Sequence, residues 1–333
     1  KEIQYNNDQQ SGYDKLVKWI NSGKGHFGLQ GYAGTGKSTL VSDIITYIKQ
    51  KHNKKVALAA PTHQAAEMLK DMGGQAITVA SLMELVPNPD GKHYDRTGQH
   101  EFIPKHEANP YDQNEPYETL RKYENSFVIV DESSMLDDQT LKAMMPILDQ
   151  FKIRVIYIGD DAQLPPVKQN HSSAFKLDQK EMFEQNDFTT HELRMVERQA
   201  SGSPLFNIFT QLRNAIGKLR SSYNLPYTKT FTGEAKGWRT NVDKDGNGLY
   251  YTEDYNRLYE VAYKYFTNSR YNDNPNLFKI ITGTHKQRAK HNNSMRQRVF
   301  GNSDVQMYDG EWMLPNESYK EEYKNSVPFR IIS

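Results

Sequence analysis

The sequence predicts an α/β fold built on a parallel sheet, and three observations lead to this. Short apolar runs at 56–60, 126–130 and 154–158 have the length of buried strands and alternate with stretches of helical spacing. Each run ends in polar residues, as expected where the carboxyl ends of parallel strands face a ligand crevice. A glycine-rich loop at 31–38 joins another predicted strand to a helix. The length of 333 residues is sufficient for two domains.

Composition and charge exclude several functional classes. The chain has 42 Lys and Arg against 41 Asp and Glu, so any nucleic-acid contact must come from a local cleft rather than from bulk charge. It has no cysteine, which excludes a disulfide framework, a thiolate metal site and a catalytic thiol. The sequence has neither a signal-peptide pattern nor an apolar run long enough to span a bilayer. We therefore expect no membrane partner and a cytoplasmic location, which would be the host cytoplasm if a phage encodes the protein.

The loop Gly31–Ser38 matches G-x-x-x-x-G-K-[ST] at every fixed position and predicts a P-loop NTPase fold that binds ATP and Mg²⁺. Its glycines allow backbone N–H groups to turn inward around phosphates, and the next helix directs its N-terminus at the same anion. Lys37 would reach the β- and γ-phosphates, and Ser38 would hold Mg²⁺. A turn that binds nothing is the disfavoured alternative. The residues expected to contact the nucleotide here are Gly34, Thr35, Gly36, Lys37, Ser38 and Thr39.

A glutamine precedes the first predicted helix, which covers Tyr13–Ile20. The side chain of Gln9 stands where an amide can bond adenine through N6 and N7. A solvated polar helix start is the simpler interpretation of a lone glutamine, and the sequence leaves both open.

Two strand ends carry residues suited to phosphoryl transfer. Asp131 and Glu132 follow the run 126–130; Asp131 would complete the Mg²⁺ shell, and Glu132 would orient or deprotonate the attacking water. Gln163 follows the run 154–158 in a proline-rich loop and would bond the γ-phosphate or the lytic water. Read in isolation, that segment is only a proline-rich loop.

Other strand ends and turns are candidates for substrate contact. Thr62 and His63 follow the run 56–60 and face the crevice, although His63 could equally bond locally at a helix start. Residues 86–125 interrupt the alternation and predict a small inserted subdomain with a β-hairpin near Lys92–Lys105. Phe102 would lie at its tip or flank, where packing against the hairpin is the commoner role. Asp243 to Asp254 nearly has the spacing of a calcium loop, but position 12 is not Glu and flanking helices are not evident, so we favour a hairpin turn between Trp238 and Tyr251.

Taken together, these residues resemble superfamily 1 DNA helicases. Gln9, GYAGTGKST at 31–39, APTHQAA at 60–66, DESS at 131–134 and GDDAQLPPV at 159–167 are similar, in order and spacing, to motifs Q, I, Ia, II and III of the RecD-like branch, and most to the phage Dda-type 5′–3′ helicases. The resemblance implies an ATP-dependent DNA helicase or single-stranded DNA translocase. It also implies that Arg198, within residues 191–198, contacts the γ-phosphate. The DNA contacts that it implies are Thr62, His63, Phe102 and Thr284.

The resemblance also implies a domain plan and partners. The first RecA-like domain would comprise 1–85 and 126–215, with 86–125 inserted as a strand-separating wedge. Residues 216–333 would form an incomplete second RecA-like domain, since two further family motifs do not follow Trp312; it would open with a strand at 277–285 followed by a basic helix. Partners would be single-stranded DNA, duplex junctions, and replication or recombination proteins.

Two rival functions fit parts of the sequence. An ATP-binding switch or scaffold without unwinding activity would be consistent with the absent motifs, and it would bind ATP without any response to DNA. A small-molecule kinase would use Lys37 and Asp131 but would leave Gln163, Thr62 and His63 without a purpose.

Overall fold

The computed structural model divides the chain into two units. The first contains residues 1–201 and 213–223, and the second contains residues 202–212 and 224–333. The structure describes residues 4–32, 34–69, 76–88, 102–109, 111, 115–166, 169, 172–175, 188–195, 210, 213, 241–242, 244, 248–250, 252–301, 307–313 and 329–331.

The first unit contains a six-stranded parallel sheet in the order β3-β2-β6-β7-β1-β8, which confirms the predicted α/β class. The strands are β1 (His26–Gly31), β2 (Val56–Ala60), β3 (Ala76–Thr78), β6 (Phe127–Val130), β7 (Arg154–Gly159) and β8 (Phe188–Leu193). Leu29 of β1 pairs with Ile158 on one side and with His191 on the other. The carboxyl ends of these strands therefore lie at one edge of the sheet, where the predicted site residues follow them.

Helices cover the sheet of the first unit. The helices of this unit are α1 (Asn7–Ser22), α2 (Lys37–His52), α3 (His63–Leu69), α4 (Val79–Leu82), α5 (Lys105–Ala108), α6 (Glu118–Arg121) and α7 (Asp138–Gln150). Side-chain hydrogen bonds cap the starts of α1, α4 and α7. The side chain of Asn6 accepts the N–H groups of Asp8 and Gln9, and Gly23 ends α1 in the left-handed conformation. The helix thus begins six residues before the predicted Tyr13.

Two apolar cores lie on the two faces of the sheet. Strand β6 is buried throughout: Val128 and Val130 join one core, and Phe127 and Ile129 join the other. This alternation is the period of two expected of a strand covered on both faces. The run is apolar because β6 is buried up to Val130, and the acidic pair Asp131 and Glu132 follows where the chain emerges at the edge of the sheet.

The insertion contains a two-stranded antiparallel pair formed by β4 (Leu85–Pro87) and β5 (Phe102–Pro104). Phe102 lies on the flank of this pair opposite Pro87, and its half-buried ring packs against the core of the unit. Most of the predicted hairpin at 92–105 lies outside the described residues. In the described part, Phe102 thus has the packing role that was the simpler of its two interpretations.

The second unit has a small apolar cluster formed by Tyr259, Ala262 and Met295. Its elements are β9 (Asn241–Val242) paired with β10 (Gly248–Leu249), β11 (Trp312–Met313) paired with β12 (Phe329–Arg330), and helices Tyr255–Phe266, Ser269–Asp273 and His285–Phe300. The antiparallel pairing of β9 with β10 supports the predicted hairpin between Trp238 and Tyr251, although most residues of the turn itself lie outside the described part of the chain. The predicted basic helix is confirmed at His285–Phe300, with the hydroxyl of Thr284 accepting the N–H of Gln287 at its start.

The predicted strand at 277–285 is wrong. Residues 277–284 have no regular structure, and the side chain of Ile281 is 92% exposed. A strand needs a hydrogen-bonded neighbour, and none of the described strands pairs with this segment. Within the described part of the chain, no helix combines the length and the hydropathy needed to cross a bilayer.

Candidate nucleotide-binding site

The phosphate loop connects β1 to α2, as the motif predicts. Gly34 and Gly36 both have φ of 83°, a left-handed conformation that favours glycine. Thr35 between them is fully buried, and its hydroxyl donates to the backbone oxygen of Tyr32 at 2.8 Å. The loop is therefore folded on itself around Thr35, while Ser38 and Thr39 in the first turn of α2 are exposed.

The side chain of Lys37 folds back onto the phosphate loop and bonds its backbone oxygens. Its Nζ donates to the backbone oxygens of Gly31 at 2.6 Å and Tyr32 at 2.9 Å. Burial lowers the pKa of this ammonium, while the carboxylates of Asp160, Asp131 and Glu132 act to raise it. These two carbonyls use N–H donors of Lys37 that phosphate oxygens could accept from instead.

The acidic pair at the end of β6 lies in the electrostatic field of Lys37. The Oδ1 atom of Asp131 accepts the backbone N–H of Glu132 at 2.9 Å, and Glu132 has a left-handed φ of 51°. Burial raises the pKa of both carboxyls, and the charge of Lys37 opposes that rise. The left-handed φ directs the backbone away from the strand at this point, which is a conformation that non-glycine residues rarely adopt.

The loop after β7 is shaped by Asp160, which sequence reasoning missed. This buried carboxylate accepts the N–H of Ala162 at 3.0 Å through Oδ1, and its backbone oxygen accepts the N–H of Gln163 at 3.0 Å. The side chain of Gln163 is exposed at this turn. Its position could have identified it, because Asp160 follows the apolar strand β7 just as Asp131 follows β6.

Arg213 is a second residue that the motifs did not identify. Its Nη1 atom lies 2.5 Å and 2.6 Å from the two carboxylate oxygens of Asp160, and its guanidinium carbon lies 3.4 Å from the centroid of the Tyr32 ring. It belongs to the first unit although it lies far along the chain. Its position beside the phosphate loop is a product of tertiary folding.

Gln9 lies against the phosphate loop, in the first turn of α1 rather than ahead of the helix as expected. Its Nε2 donates to the backbone oxygen of Thr35 at 3.0 Å, and its Oε1 accepts the N–H of Asn6 at 3.1 Å. A Cβ added at Gly36 would lie 2.3 Å from Nε2, so a side chain there would displace the Gln9 amide, in addition to the strain that its φ imposes. The adenine contact remains a prediction.

The other predicted residues occupy different places. The hydroxyl of Thr62 accepts the N–H of Ala65 at 3.2 Å, and His63 begins α3. Both follow β2 and so lie at the sheet edge that carries the phosphate loop. Thr284 belongs to the second unit, where it caps the basic helix, and Arg198 lies outside the described residues.

The metal prediction rests on Ser38 and Asp131. The described residues contain no group of three or more His, Asp or Glu side chains that could hold a metal ion. Mg²⁺ in nucleotide sites usually binds through one or two protein ligands together with water and phosphate oxygens. An exposed hydroxyl at the start of α2 and a carboxylate near Lys37 fit that donor set.

Comparisons with known proteins agree with this geometry. A family model described as an AAA domain matches residues 4–220, more than half of the chain. The chain is 26% identical over 317 residues to the ATP-dependent DNA helicase dda of Enterobacteria phage T4, covering 95% of this chain and 62% of that protein. It is 27% identical over 191 residues to an uncharacterised protein of Acanthamoeba polyphaga mimivirus, covering 51% and 35%. The chain thus spans less than two thirds of the length of these relatives.

Solved structures similar to this chain include two Pif1 helicases. The one from Candida albicans is 22% identical with a TM-score of 0.48, covering 85% of this chain and 56% of that chain. The one from Bacteroides sp is 24% identical with a TM-score of 0.42, covering 65% and 47%. From the family match, the chain belongs to the AAA domain family, and its sequence is similar to that of the dda helicase of phage T4.

Proposed function

We propose that this chain binds and hydrolyses ATP with Mg²⁺ and uses the hydrolysis to move along single-stranded DNA and separate duplex strands. The observation that carries the proposal is the grouping of Lys37, Asp131, Glu132 and Asp160, from three strand ends, around one phosphate loop. Its relative in phage T4 is named as an ATP-dependent DNA helicase and aligns with 95% of this chain.

Each site residue has a role in this proposal. Lys37 turns from the loop carbonyls to the β- and γ-phosphates, and backbone N–H groups between Gly34 and Thr39 cradle them. Glu132 orients the attacking water and accepts its proton. Gln163 and Arg198 contact the γ-phosphate, so that its loss is transmitted to the rest of the protein. Ser38 and Asp131 would hold Mg²⁺, which neutralises phosphate charge when it is bound.

The DNA-binding part of the proposal rests on the sequence predictions. Thr62, His63 and Thr284 contact the backbone of single-stranded DNA, and the insertion carrying Phe102 separates duplex strands at a junction. The domain plan stays a prediction: a first RecA-like domain interrupted by the insertion 86–125, and an incomplete second domain in 216–333. Binding to phosphates makes the affinity for DNA fall with salt and depend little on sequence. Replication or recombination proteins are the proposed partners.

The test is ATP hydrolysis with and without single-stranded DNA at two salt concentrations. Lys37→Ala is expected to abolish hydrolysis, because the ammonium that contacts the β- and γ-phosphates is lost. Glu132→Gln is expected to bind ATP and to turn it over at least about a hundredfold more slowly. Lys49→Ala, an exposed lysine on the same helix, is the matched control and should behave as the wild type.

Three outcomes separate the candidate functions. Hydrolysis stimulated by DNA, and lost in Lys37→Ala, supports the helicase proposal; a fluorescent forked duplex then measures unwinding. ATP binding that depends on Lys37 but does not respond to DNA would replace the proposal with an ATP-binding switch. Normal turnover in Lys37→Ala or in Glu132→Gln would overturn the active-site assignment.

A further inference from the structure

Arg213 connects two parts of the candidate site that are separate in sequence. Its guanidinium lies on the ring of Tyr32, the second residue of the phosphate loop, with 3.4 Å from the guanidinium carbon to the ring centroid. The same group donates to both carboxylate oxygens of Asp160 at 2.5 Å and 2.6 Å. We refer to these three residues as the Tyr32–Arg213–Asp160 bridge.

Both ends of the bridge are attached to functional groups. The backbone oxygen of Tyr32 accepts a hydrogen bond from Lys37 Nζ at 2.9 Å. At the other end, Asp160 accepts the N–H of Ala162 and, through its backbone oxygen, the N–H of Gln163. Lys37 is the proposed phosphate ligand and Gln163 the proposed γ-phosphate sensor, so the bridge joins the group that receives the phosphates to the loop that detects them.

The charges of the bridge affect how the site binds phosphate. The Asp160 side chain is 5% exposed and that of Arg213 is 18% exposed, so the buried carboxylate depends on the guanidinium for compensation. Arg213 Nη2 also lies 3.6 Å from Oδ1 of Asp161, whose side chain is 48% exposed and therefore compensated largely by water. Asp160 acts electrostatically on Lys37, and Arg213 acts on it with the opposite sign. Without Arg213, the uncompensated carboxylate would repel a triphosphate and attract Lys37 away from it.

We propose that Arg213 is a positioning residue that neutralises Asp160 beside the triphosphate and couples the phosphate loop to the Gln163 loop through the Tyr32–Arg213–Asp160 bridge. Its first function is electrostatic and acts on nucleotide affinity. Its second is mechanical: when Lys37 leaves the Tyr32 oxygen for a phosphate, the Tyr32 ring is free to shift and the guanidinium transmits that shift to Asp160. This inference rests on the proposed ATP-binding function.

The test is a pair of substitutions that separates charge from structure. Arg213→Met is expected to weaken the affinity for methylanthraniloyl-ATP by about tenfold or more, the size expected for one unit charge near phosphates at intermediate dielectric. Adding Asp160→Asn removes the uncompensated charge and keeps an oxygen for the Ala162 N–H. The double variant is therefore expected to recover the wild-type affinity to within about threefold, since the remaining differences are uncharged contacts.

The rate of ATP turnover tests the mechanical role, because restoring the charge balance in the double variant is not expected to restore kcat. In the double variant the affinity is restored, but the link between the loops is still missing, so kcat should stay below the wild-type value at saturating ATP. Arg213→Lys keeps the charge without the planar fork and should fall between Arg213→Met and wild type. Arg257→Met, an exposed arginine of the second unit, is the control and should leave the affinity for ATP unchanged.

The outcomes distinguish this inference from the proposed function. If the wild type binds methylanthraniloyl-ATP and Lys37→Ala does not, the nucleotide site is supported independently of Arg213. With that result in hand, unchanged affinity in Arg213→Met, or no recovery in the double variant when its thermal unfolding matches the wild type, would overturn the role of Arg213. Absence of ATP binding by the wild type would overturn both proposals.

Discussion

The side-chain amide of Gln9 donates a hydrogen bond of 3.0 Å to the backbone oxygen of Thr35, and this contact fastens the first helix to the phosphate loop. The same glutamine accepts the N–H of Asn6 and so also takes part in capping its own helix. Gly36 leaves just enough room, since a Cβ there would collide with the amide. The geometry of the loop therefore depends on a residue that precedes it by more than twenty positions.

Gln9→Ala should lower nucleotide affinity, and comparing its effect on ATP with its effect on GTP distinguishes an adenine contact from anchoring of the phosphate loop. If Gln9 bonds adenine, the variant loses affinity for ATP but not for GTP, because an amide matched to N6 and N7 does not match guanine. If Gln9 only anchors the loop, both affinities fall equally. Competition binding with ATP and GTP measures the difference. Gln10→Ala is the control, because its amide bonds only Asp14 on the exposed face of the same helix.

Arg154→Met should destabilise the first unit by about 3 kcal/mol, since several charge-assisted hydrogen bonds to carbonyls are lost together. Arg154 is the first residue of β7, and its guanidinium lies at the C-terminal end of α1, with its carbon 4.0 Å from the centroid of the Trp19 ring. Burial lowers the pKa of this guanidinium to about 10. The oxygens that it bonds belong to Trp19, Ile20, Lys24 and Gly25, at distances from 2.5 to 3.3 Å.

Denaturant unfolding followed by tryptophan fluorescence measures this effect. Arg121→Met is the matched control, because that exposed guanidinium bonds a single carbonyl, and it should cost no more than about 1 kcal/mol. Equal destabilisation by the two substitutions would contradict the capping role of Arg154.

Stability should fall in weak acid because His26 is buried in its neutral form. Burial, with the nearby charge of Arg154, lowers the pKa of this imidazole from 6.5 to about 4, and its Nδ1 accepts the N–H of Val155 at 3.1 Å. Between pH 6.5 and about 4, His26 is protonated in the unfolded chain but stays neutral in the folded protein. The free energy of unfolding should therefore decrease between pH 6.5 and 4, by up to about 3 kcal/mol from this residue.

His26→Asn isolates that contribution, because the amide oxygen can accept the same N–H and does not titrate. The variant is expected to show a shallower loss of stability than the wild type over this pH interval. Identical pH profiles for the two proteins would rule out His26 as the source.

The rate of ATP hydrolysis should have an acidic limb set by Glu132. Burial, followed by the charge of Asp131, raises the pKa of this carboxyl above its ordinary value of 4.5. The proposed role requires the ionised form, so kcat should rise with pH through a midpoint above 4.5. Steady-state rates at saturating ATP and Mg²⁺ measure the profile, and Glu132→Gln should remove the dependence together with most of the rate. A midpoint at or below 4.5 would contradict a buried catalytic carboxylate.

Much of the first unit could be predicted from local patterns. The apolar runs at β2, β6 and β7 have the continuous hydrophobicity of strands covered on both faces, and each ends where polar residues begin. The phosphate loop is a strong signal because its fixed glycines and lysine serve one geometry. The predicted strand at 277–285 was wrong, because apolar residues form a strand only where a neighbouring strand is available to pair with them.

Local sequence patterns were enough to predict the α/β class, the phosphate loop between β1 and α2, and the acidic and amide residues at the ends of β6 and β7. These are local properties, since period, chain direction and glycine conformation are set by neighbouring residues. The placement of Arg213 against Tyr32 and Asp160, and of Arg154 against the end of α1, came from the packing of distant segments. A long charged side chain can bond whatever carboxylate or carbonyl the fold brings near it, and nothing in its own neighbourhood specifies which.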